Sequence, residues 1–417
     1  MTRLAAMKHS FTKYVNGLGV VACALYIFSH VLFTQSTLLT TFDAIRLAEP
    51  IIVVEGLTIS MCFIVLATKI YRMRLGVVCA IATLIAVLVV SAVRAKDFRL
   101  FESVLLIITV ANIDSQKLIK WVAMALAAGI TVVVLASLCG MIWNKDVLPN
   151  EYLVFGYGFG HPNTFGALLT CLVVAVLYIG WNHRFWVLPI VMAMLLAIFC
   201  KIMLSSNTAA MLILSYCIAS ALGHLFNEKL TLLFTKRVRV LLTCTLAIFV
   251  VASMLYLMAA YDNTNPVHKT LNDILHFRPY FGMEYYRTNG GFTILGRPYL
   301  SISAYHQGTT FESLDSGVMY MGGVYGLLPL LCCCGLLAYL VAHLPENRRS
   351  FFVWALIMMG IFNLLTEGYP LFVYTNISLL LLSDGLAFRS EFVPRECVRL
   401  RPVAASKEDD VIGLHNG

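Results

Sequence analysis

Runs of about 20 apolar residues alternate with short polar breaks from one end of this chain to the other. A bilayer asks for roughly 20 such residues per helical crossing. Helices are the expected form, because lipid offers no partner to an unpaired backbone group. The pattern predicts about twelve crossings, over residues 15–34, 49–68, 75–93, 100–113, 121–142, 162–181, 185–203, 208–225, 240–260, 316–342, 350–366 and 369–387. The expected fold is thus an all-α integral membrane protein of about twelve transmembrane helices, with one large extracytoplasmic loop carrying short helices. Residues 1–388 make one polytopic membrane domain, with the large loop at 261–315. Residues 389–417, ending SKEDDVIGLHNG, are expected to form a cytoplasmic, disordered tail.

Composition sharpens this by exclusion. The 417 residues are 60% hydrophobic and 12% charged, against roughly 25% charged in a soluble domain. So much apolar surface implies one membrane domain rather than a soluble domain on an anchor. The start, MTRLAAMKHSFTKYVNGLG, lacks a small-x-small cleavage site and reads as a cytoplasmic lead into the first crossing. Eleven of the twelve cysteines fall in predicted helices and Cys397 in the tail. They form neither a disulfide framework nor a C-x-x-C pair, and are expected to pack as small apolar residues.

The net charge of +8 follows topology, not nucleic acid. Lys and Arg mark cytoplasmic loops. With the N-terminus cytoplasmic, Lys69, Lys117, Lys120, Arg184, Arg237, Arg239, Arg348, Arg349 and the tail arginines all fall on that face. Both termini are then cytoplasmic. One outer connection breaks the rule: Arg94-Ala-Lys96-Asp97-Phe98-Arg99. It is an anionic-group site, a misplaced span boundary, or an arginine snorkelling to lipid phosphates. No internal repeat relates the halves, whereas many secondary transporters are built from repeats.

Chemistry concentrates in three segments. Gly156-Tyr-Gly-Phe-Gly160-His161-Pro162-Asn163 reads as a turn opening a helix at 162, with Pro in the first turn. His161 and Asn163 then sit where exposed amides favour a phosphate, or His161 makes only a local hydrogen bond. Lys201 precedes Ser205-Ser206-Asn207-Thr208; it is a phosphate partner or a snorkelling anchor, and the Ser and Thr residues are candidate helix caps. The 261–315 segment holds Arg278, Arg287, Arg297, His306, Asp315 and many rings. Most of the rings are expected to be structural. Arg297, in Gly296-Arg297-Pro298-Tyr299, presents a fork that suits phosphate. His306 suits proton transfer near neutral pH, and Asp315 is either a carboxylate of the site or an N-cap. Glu367, in a short outer turn, approaches the same chamber or marks the water interface. Clustered carboxylates for a divalent ion are not evident, so no metal and no cofactor are expected.

In this order, the features resemble Wzy-type O-antigen and capsular polysaccharide (exopolysaccharide) polymerases, of the wider O-antigen polymerase/ligase superfamily. The resemblance spans roughly 150–370, and Gly160-His161-Pro162-Asn163 is its most specific part. Members often carry Ser-Arg-Thr where this chain has Ser206-Asn207-Thr208, and a Leu-Asp-Asn-x-Tyr entry that here reads Leu314-Asp315-Ser316-Gly317, with Tyr320 displaced. The resemblance implies glycosyl transfer on the outer face of a bacterial cytoplasmic membrane. Undecaprenyl-pyrophosphate-linked oligosaccharide repeats would be joined into a surface polysaccharide, in company with membrane lipid, chain-length regulator and flippase proteins. Arg297, His306 and Asp315 would be catalytic. His161, Asn163, Arg94, Arg99, Lys201, Arg278, Arg287 and Tyr320 would bind substrate. Ligase-like transfer to another acceptor and a polysaccharide flippase are the alternatives.

Overall fold

The computed structural model describes every residue except 1, 42–43, 71–72, 74, 144, 148–152, 182–183, 300–303, 307–308, 312–313, 347–348 and 387–417. The expected tail, with Cys397, therefore lies outside the described residues. In chain order the α-helices are α1 (Thr2–Ser29), α2 (Leu38–Thr41), α3 (Ala44–Ile70), α4 (Leu75–Ala95), α5 (Arg99–Thr109), α6 (Ser115–Leu138), α7 (Pro162–Gly180), α8 (Val187–Ile202) and α9 (Asn207–Leu225). They continue with α10 (Asn227–Leu233), α11 (Lys236–Ala260), α12 (Pro266–Ile274), α13 (Arg278–Thr288), α14 (Gly317–Tyr320), α15 (Leu327–His343), α16 (Ser350–Asn363) and α17 (Ser378–Leu381). Two short antiparallel ribbons complete the described chain: β1 (Lys145–Val147) with β2 (Leu153–Phe155), and β3 (Ala304–His306) with β4 (Thr309–Phe311).

Seven helical segments among the described residues are long and apolar enough to cross a bilayer: Ser10–Thr34, Pro50–Ile70, Leu75–Ala95, Ser115–Leu138, Pro162–Gly180, Asn207–Leu225 and Lys236–Ala260. Val187–Ile202, Leu327–His343 and Ser350–Asn363 are shorter apolar helices. Their outward faces stay apolar. On α8, Leu188, Met192, Leu195 and Ile198 follow helical spacing and are each more than half exposed. Water penalises such a stripe and hydrocarbon does not. The chain is a membrane protein built from apolar α-helices.

Three expected spans are not plain helices. The segment expected at 100–113 forms α5, of 11 residues, which reaches only about 16 Å. Residues 100–109 are all buried, so α5 is an internal helix. Its C-terminal carbonyls are capped by Lys69, whose Nζ donates to the Thr109 and Ala111 oxygens at 2.7 and 2.6 Å. The segment expected at 316–342 breaks into α14, a π-helical turn at Met321–Tyr325, and α15. A loop inserts at the break. The Arg297 amide bonds the Val324 oxygen at 2.9 Å, and the Leu327 and Leu328 amides bond the Thr293 and Ile294 oxygens at 2.9 and 3.0 Å. Two glycines in the left-handed region, Gly296 (φ 83) and Gly326 (φ 99), allow this approach, since a Cβ on either would strike backbone of the other strand.

The segment expected at 369–387 is a string of turns: a 3-10 turn at Tyr369–Leu371, then α17, then a 3-10 turn at Leu382–Leu386. Polar side chains replace helical backbone bonds there. Asn376 Nδ2 donates to the Pro370 oxygen at 3.0 Å, and Ser378 Oγ to Asn376 Oδ1 at 2.5 Å. Irregular backbone is tolerated in a membrane protein where protein covers it, and Val373, Ile377, Leu380 and Leu381 are fully buried. The eleven described cysteines are free thiols.

Within 261–315 the helices α12 and α13 pack on each other, and α13 packs along α11. Asn265 caps α12, and Asn272 Oδ1 accepts from the Tyr280 amide at 3.1 Å. Phe281, Met283 and Tyr285 are buried, and the Tyr285 ring lies against Gly323 and the Met319 side chain against Gly282, so these side chains pack α13 onto the helical body.

Candidate functional site

The site begins where α4 ends. Lys96 takes a left-handed conformation (φ 56) and the Asp97 amide bonds the Ala92 oxygen at 3.0 Å, a closure that stops the helix in one residue. The chain reverses and starts α5 at Arg99, which sets Asp97 and Arg99 side by side. Asp97 Oδ2 accepts from Arg99 Nη2 at 2.7 Å and from the Tyr320 hydroxyl at 2.8 Å. Tyr320 in turn accepts from Arg99 Nη2 at 2.8 Å. The guanidinium also lies over the Phe372 ring, 4.8 Å from its centroid. Burial pushes the Asp97 carboxyl up, but the Arg99 hydrogen bonds and charge outweigh it and hold the group below the usual carboxylate range.

Arg94, one turn earlier, donates from Nε to the Gly296 oxygen at 3.2 Å. Ser91 Oγ donates to the Tyr325 oxygen at 2.7 Å. Together they fasten the end of α4 to the Gly296 turn and the π-helical break. A cavity of about 480 Å³ opens between these parts, lined by Glu55, Lys96, Arg99, Glu102, Tyr299 and Tyr320 among others. Cations, carboxylates and rings from parts of the chain some 200 residues apart thus share one wall.

At one side of the cavity lies a group that sequence reading missed. His30, Glu55 and Glu102 come from the π-helical end of the first span, α3 and α5 respectively, and their ligand atoms lie within 4.8 Å of one another. His30 Nε2 is 3.8 Å from Glu55 Oε1 and 3.7 Å from Glu102 Oε2. The expectation of no clustered carboxylates is corrected here: each residue stands alone in an apolar run, and only packing joins them. A signal was present, since a lone His or Glu inside an apolar span is costly and marks function by default.

The other sequence candidates fall elsewhere. Arg297 is half-buried, and its Nη2 donates to the Gly291 oxygen at 2.6 Å; Pro298 and Tyr299, not Arg297, line the cavity. The His306 backbone pairs with Thr309 in the β3–β4 ribbon, while its side chain lies outside the described residues. Arg287 is exposed at the end of α13. Ser316, not Asp315, caps α14, its side chain accepting from the Met319 amide.

A second, small polar pocket of about 40 Å³ gathers Asn163, Ser206, Thr208, Glu367 and Asn376. Arg278 Nη2 sits 3.4 Å from Glu367 Oε1 beside it. Burial pushes Glu367 up to about 7, with Arg278 opposing and Asp315 adding to the rise. His161 is the N-cap of α7, its Nδ1 accepting from the Asn163 amide at 3.1 Å. Lys201 Nζ donates to Asn207 Oδ1. Ser206 occupies the N-cap position of α9 but makes no capping bond, and its Oγ is buried without a partner among the described residues. The candidates therefore divide: Arg99 and Tyr320 line the large cavity, Asn163 lines the small pocket with Arg278 beside it, and Arg287 and Arg297 line neither. An apolar cavity of about 140 Å³, lined by residues such as Val104, Val250, Met321, Leu330 and Leu364, shares Gly360, Pro370 and Asn376 with the polar pocket.

Compared with protein-family models, with curated proteins and with solved structures, the chain matches none.

Proposed function

We propose that this protein transfers glycans between lipid-linked oligosaccharides, joining undecaprenyl-pyrophosphate-linked repeats into a surface polysaccharide at the outer face of a bacterial cytoplasmic membrane. The observation that carries the reading is the meeting of Lys96 and Arg99 with Tyr299 and Tyr320 on one cavity of a membrane protein. In the reaction the acceptor hydroxyl oxygen bonds to the anomeric carbon of the donor sugar. The bond from that carbon to the phosphate oxygen breaks, and pyrophosphate leaves with the electron pair. Oriented cations are what such a leaving group requires, and Arg99 and Lys96 supply them. Tyr299 and Tyr320 offer ring faces and a hydroxyl to sugar. His306, a few residues beyond Tyr299 in the chain, takes the acceptor proton in this reading.

The basic loops support a cytoplasmic N-terminus, with the 94–99 turn and the 261–315 segment on the outer side. In this reading the chain makes about twelve passes, the fourth by α5 together with the residues that follow it to 113, and the last by the broken segment from Tyr369 to Asp384. Asp384 accepts from Ser115 Oγ at the start of α6, at 2.5 Å, which favours a full pass for that segment. The apolar cavity suits a polyprenyl tail entering from the bilayer.

A second reading, a flippase or cation-coupled transporter, is favoured by one observation: His30 and Glu102 are buried within the helical body. A deletion strain separates the two readings. Loss of a polymerase leaves single lipid-linked repeats on the outer leaflet, and loss of a flippase traps them inside. Long unattached polymer would instead mark a ligase.

A further inference from the structure

We infer that His30, Glu55 and Glu102 bind a divalent first-row transition-metal cation at the edge of the cavity, whatever reaction the cavity serves. His30 is 3% exposed, and neither of its ring nitrogens has a hydrogen-bond partner among the described residues. An imidazole buried with both nitrogens idle forfeits a desolvation cost that native interiors rarely leave uncompensated. Its Nε2 faces two carboxylate oxygens at 3.7 and 3.8 Å, too far to hydrogen-bond. Three atoms so spaced, all within 4.8 Å of one another, leave a central point no more than about 2.4 Å from each. Metal–nitrogen and metal–oxygen bonds measure roughly 2.0–2.2 Å, so a shift of a few tenths of an ångström closes the site.

Charge points the same way. Glu55 and Glu102 face each other with His30 as the one basic group within 4 Å among the described residues. Two carboxylates at this distance, one of them 4% exposed at its side chain, repel unless a cation or a proton lies between them. A proton bridges two oxygens at hydrogen-bond length; it does not account for a third ligand atom held equally far from both. The donor set, one imidazole and two carboxylates, favours zinc or manganese over magnesium or calcium, which prefer all-oxygen cages.

The surroundings hold the three side chains in place, as outer partners of metal ligands do. The Tyr26 hydroxyl donates to Glu102 Oε2 at 3.1 Å. The His30 ring stacks on Tyr374, 4.5 Å between centroids and 2° from parallel, and meets the Tyr26 ring at a tilt of 56°, 4.2 Å between centroids. His30 also opens a π-helical turn, His30–Thr34, a feature that recurs at functional sites. Three protein ligands are present among the described residues, and Glu55 and Glu102 line the cavity. The ion thus keeps an open position toward the cavity, as in sites that bind a substrate oxygen rather than purely structural ones.

The test is direct metal binding by the full chain, purified in detergent, stripped with chelator and titrated with Mn²⁺ followed by electron paramagnetic resonance. Zinc content by elemental analysis serves as a second probe. One ion per chain is expected, with at least tenfold weaker binding in Glu55→Gln and in Glu102→Gln, and competition between the two metals. Absence of saturable binding of either ion to the unaltered protein overturns the proposal, and that result does not depend on whether any variant folds. One-to-one binding unchanged in the Glu55→Gln variant, at a side chain 29% exposed, with wild-type elution and melting, also overturns it. Glycan transfer is not part of the readout, so the two proposals fail separately.

Discussion

Arg99 and Tyr320 lie 221 residues apart in the chain and share a hydrogen bond of 2.8 Å, with Asp97 accepting from both. The triad ties the start of α5 to α14 and sets the guanidinium at the cavity. Tyr320→Phe removes one member and leaves the Asp97–Arg99 pair intact. A partly buried hydrogen bond to a charged group is worth about 1.5–3 kcal/mol. A melting-temperature decrease is expected, with a larger fall in turnover than in stability; equal activity would separate Tyr320 from the site.

Asp97 also sets an acid limit. Its carboxyl is held below the ordinary value of 3.8 in the folded protein, so the native state binds fewer protons than the unfolded chain. That stabilisation is fully present above the ordinary value and is lost as pH falls through the depressed one. Thermal melts between pH 6 and pH 3 should show an acid-side loss of stability that is reduced in Asp97→Asn.

Glu367 behaves in the opposite sense. Its folded value is raised from 4.5 to about 7 by burial, so the folded state favours the neutral acid. Stability from this group is present below about 4.5 and declines as pH rises toward 7. Glu367→Gln, which stays neutral, should flatten the melting-temperature profile across that window, and a profile unchanged from wild type would exclude the role.

Gly296→Ala tests the loop inserted at the helix break. At φ 83 an alanine is strained, and its Cβ meets the Val324 and Tyr325 oxygens. The expected cost is at least about 2 kcal/mol. Gly326→Ala meets the same loop from the other side, so the double variant should cost less than the two single losses combined. Differential scanning fluorimetry reads both.

His161→Ala should cost about 1 kcal/mol, the value of an N-cap, and leave the affinity for glycan substrate unchanged. A rise in KM without loss of stability would return His161 to the binding role expected from the sequence.

The long apolar runs made most helices legible, because hydropathy alone dictates α6, α7, α9 and α11. The anomalous basic turn at 94–99 was also legible, since it breaks a topological rule. What escaped was set by packing between distant segments. Arg297 reads as a phosphate ligand from its residue type, and the bond of its Nη2 to a carbonyl six residues upstream could not be read from the sequence. Asp315 reads as a cap, yet Ser316 is one residue better placed. The break at 321–326 depends on a loop that arrives from 293–297, which no local pattern encodes. His30, Glu55 and Glu102 are single polar letters in three apolar runs, and only the helix packing joins them.

The most direct measurement is elongation by the purified protein in liposomes, supplied with a single undecaprenyl-pyrophosphate-linked oligosaccharide. Wild-type protein should yield a ladder of longer lipid-linked glycans, and Arg99→Ala should lose it by at least a hundredfold while keeping its elution profile. A full ladder from Arg99→Ala, or no elongation of such repeats by the wild-type protein, would contradict glycan transfer at this cavity.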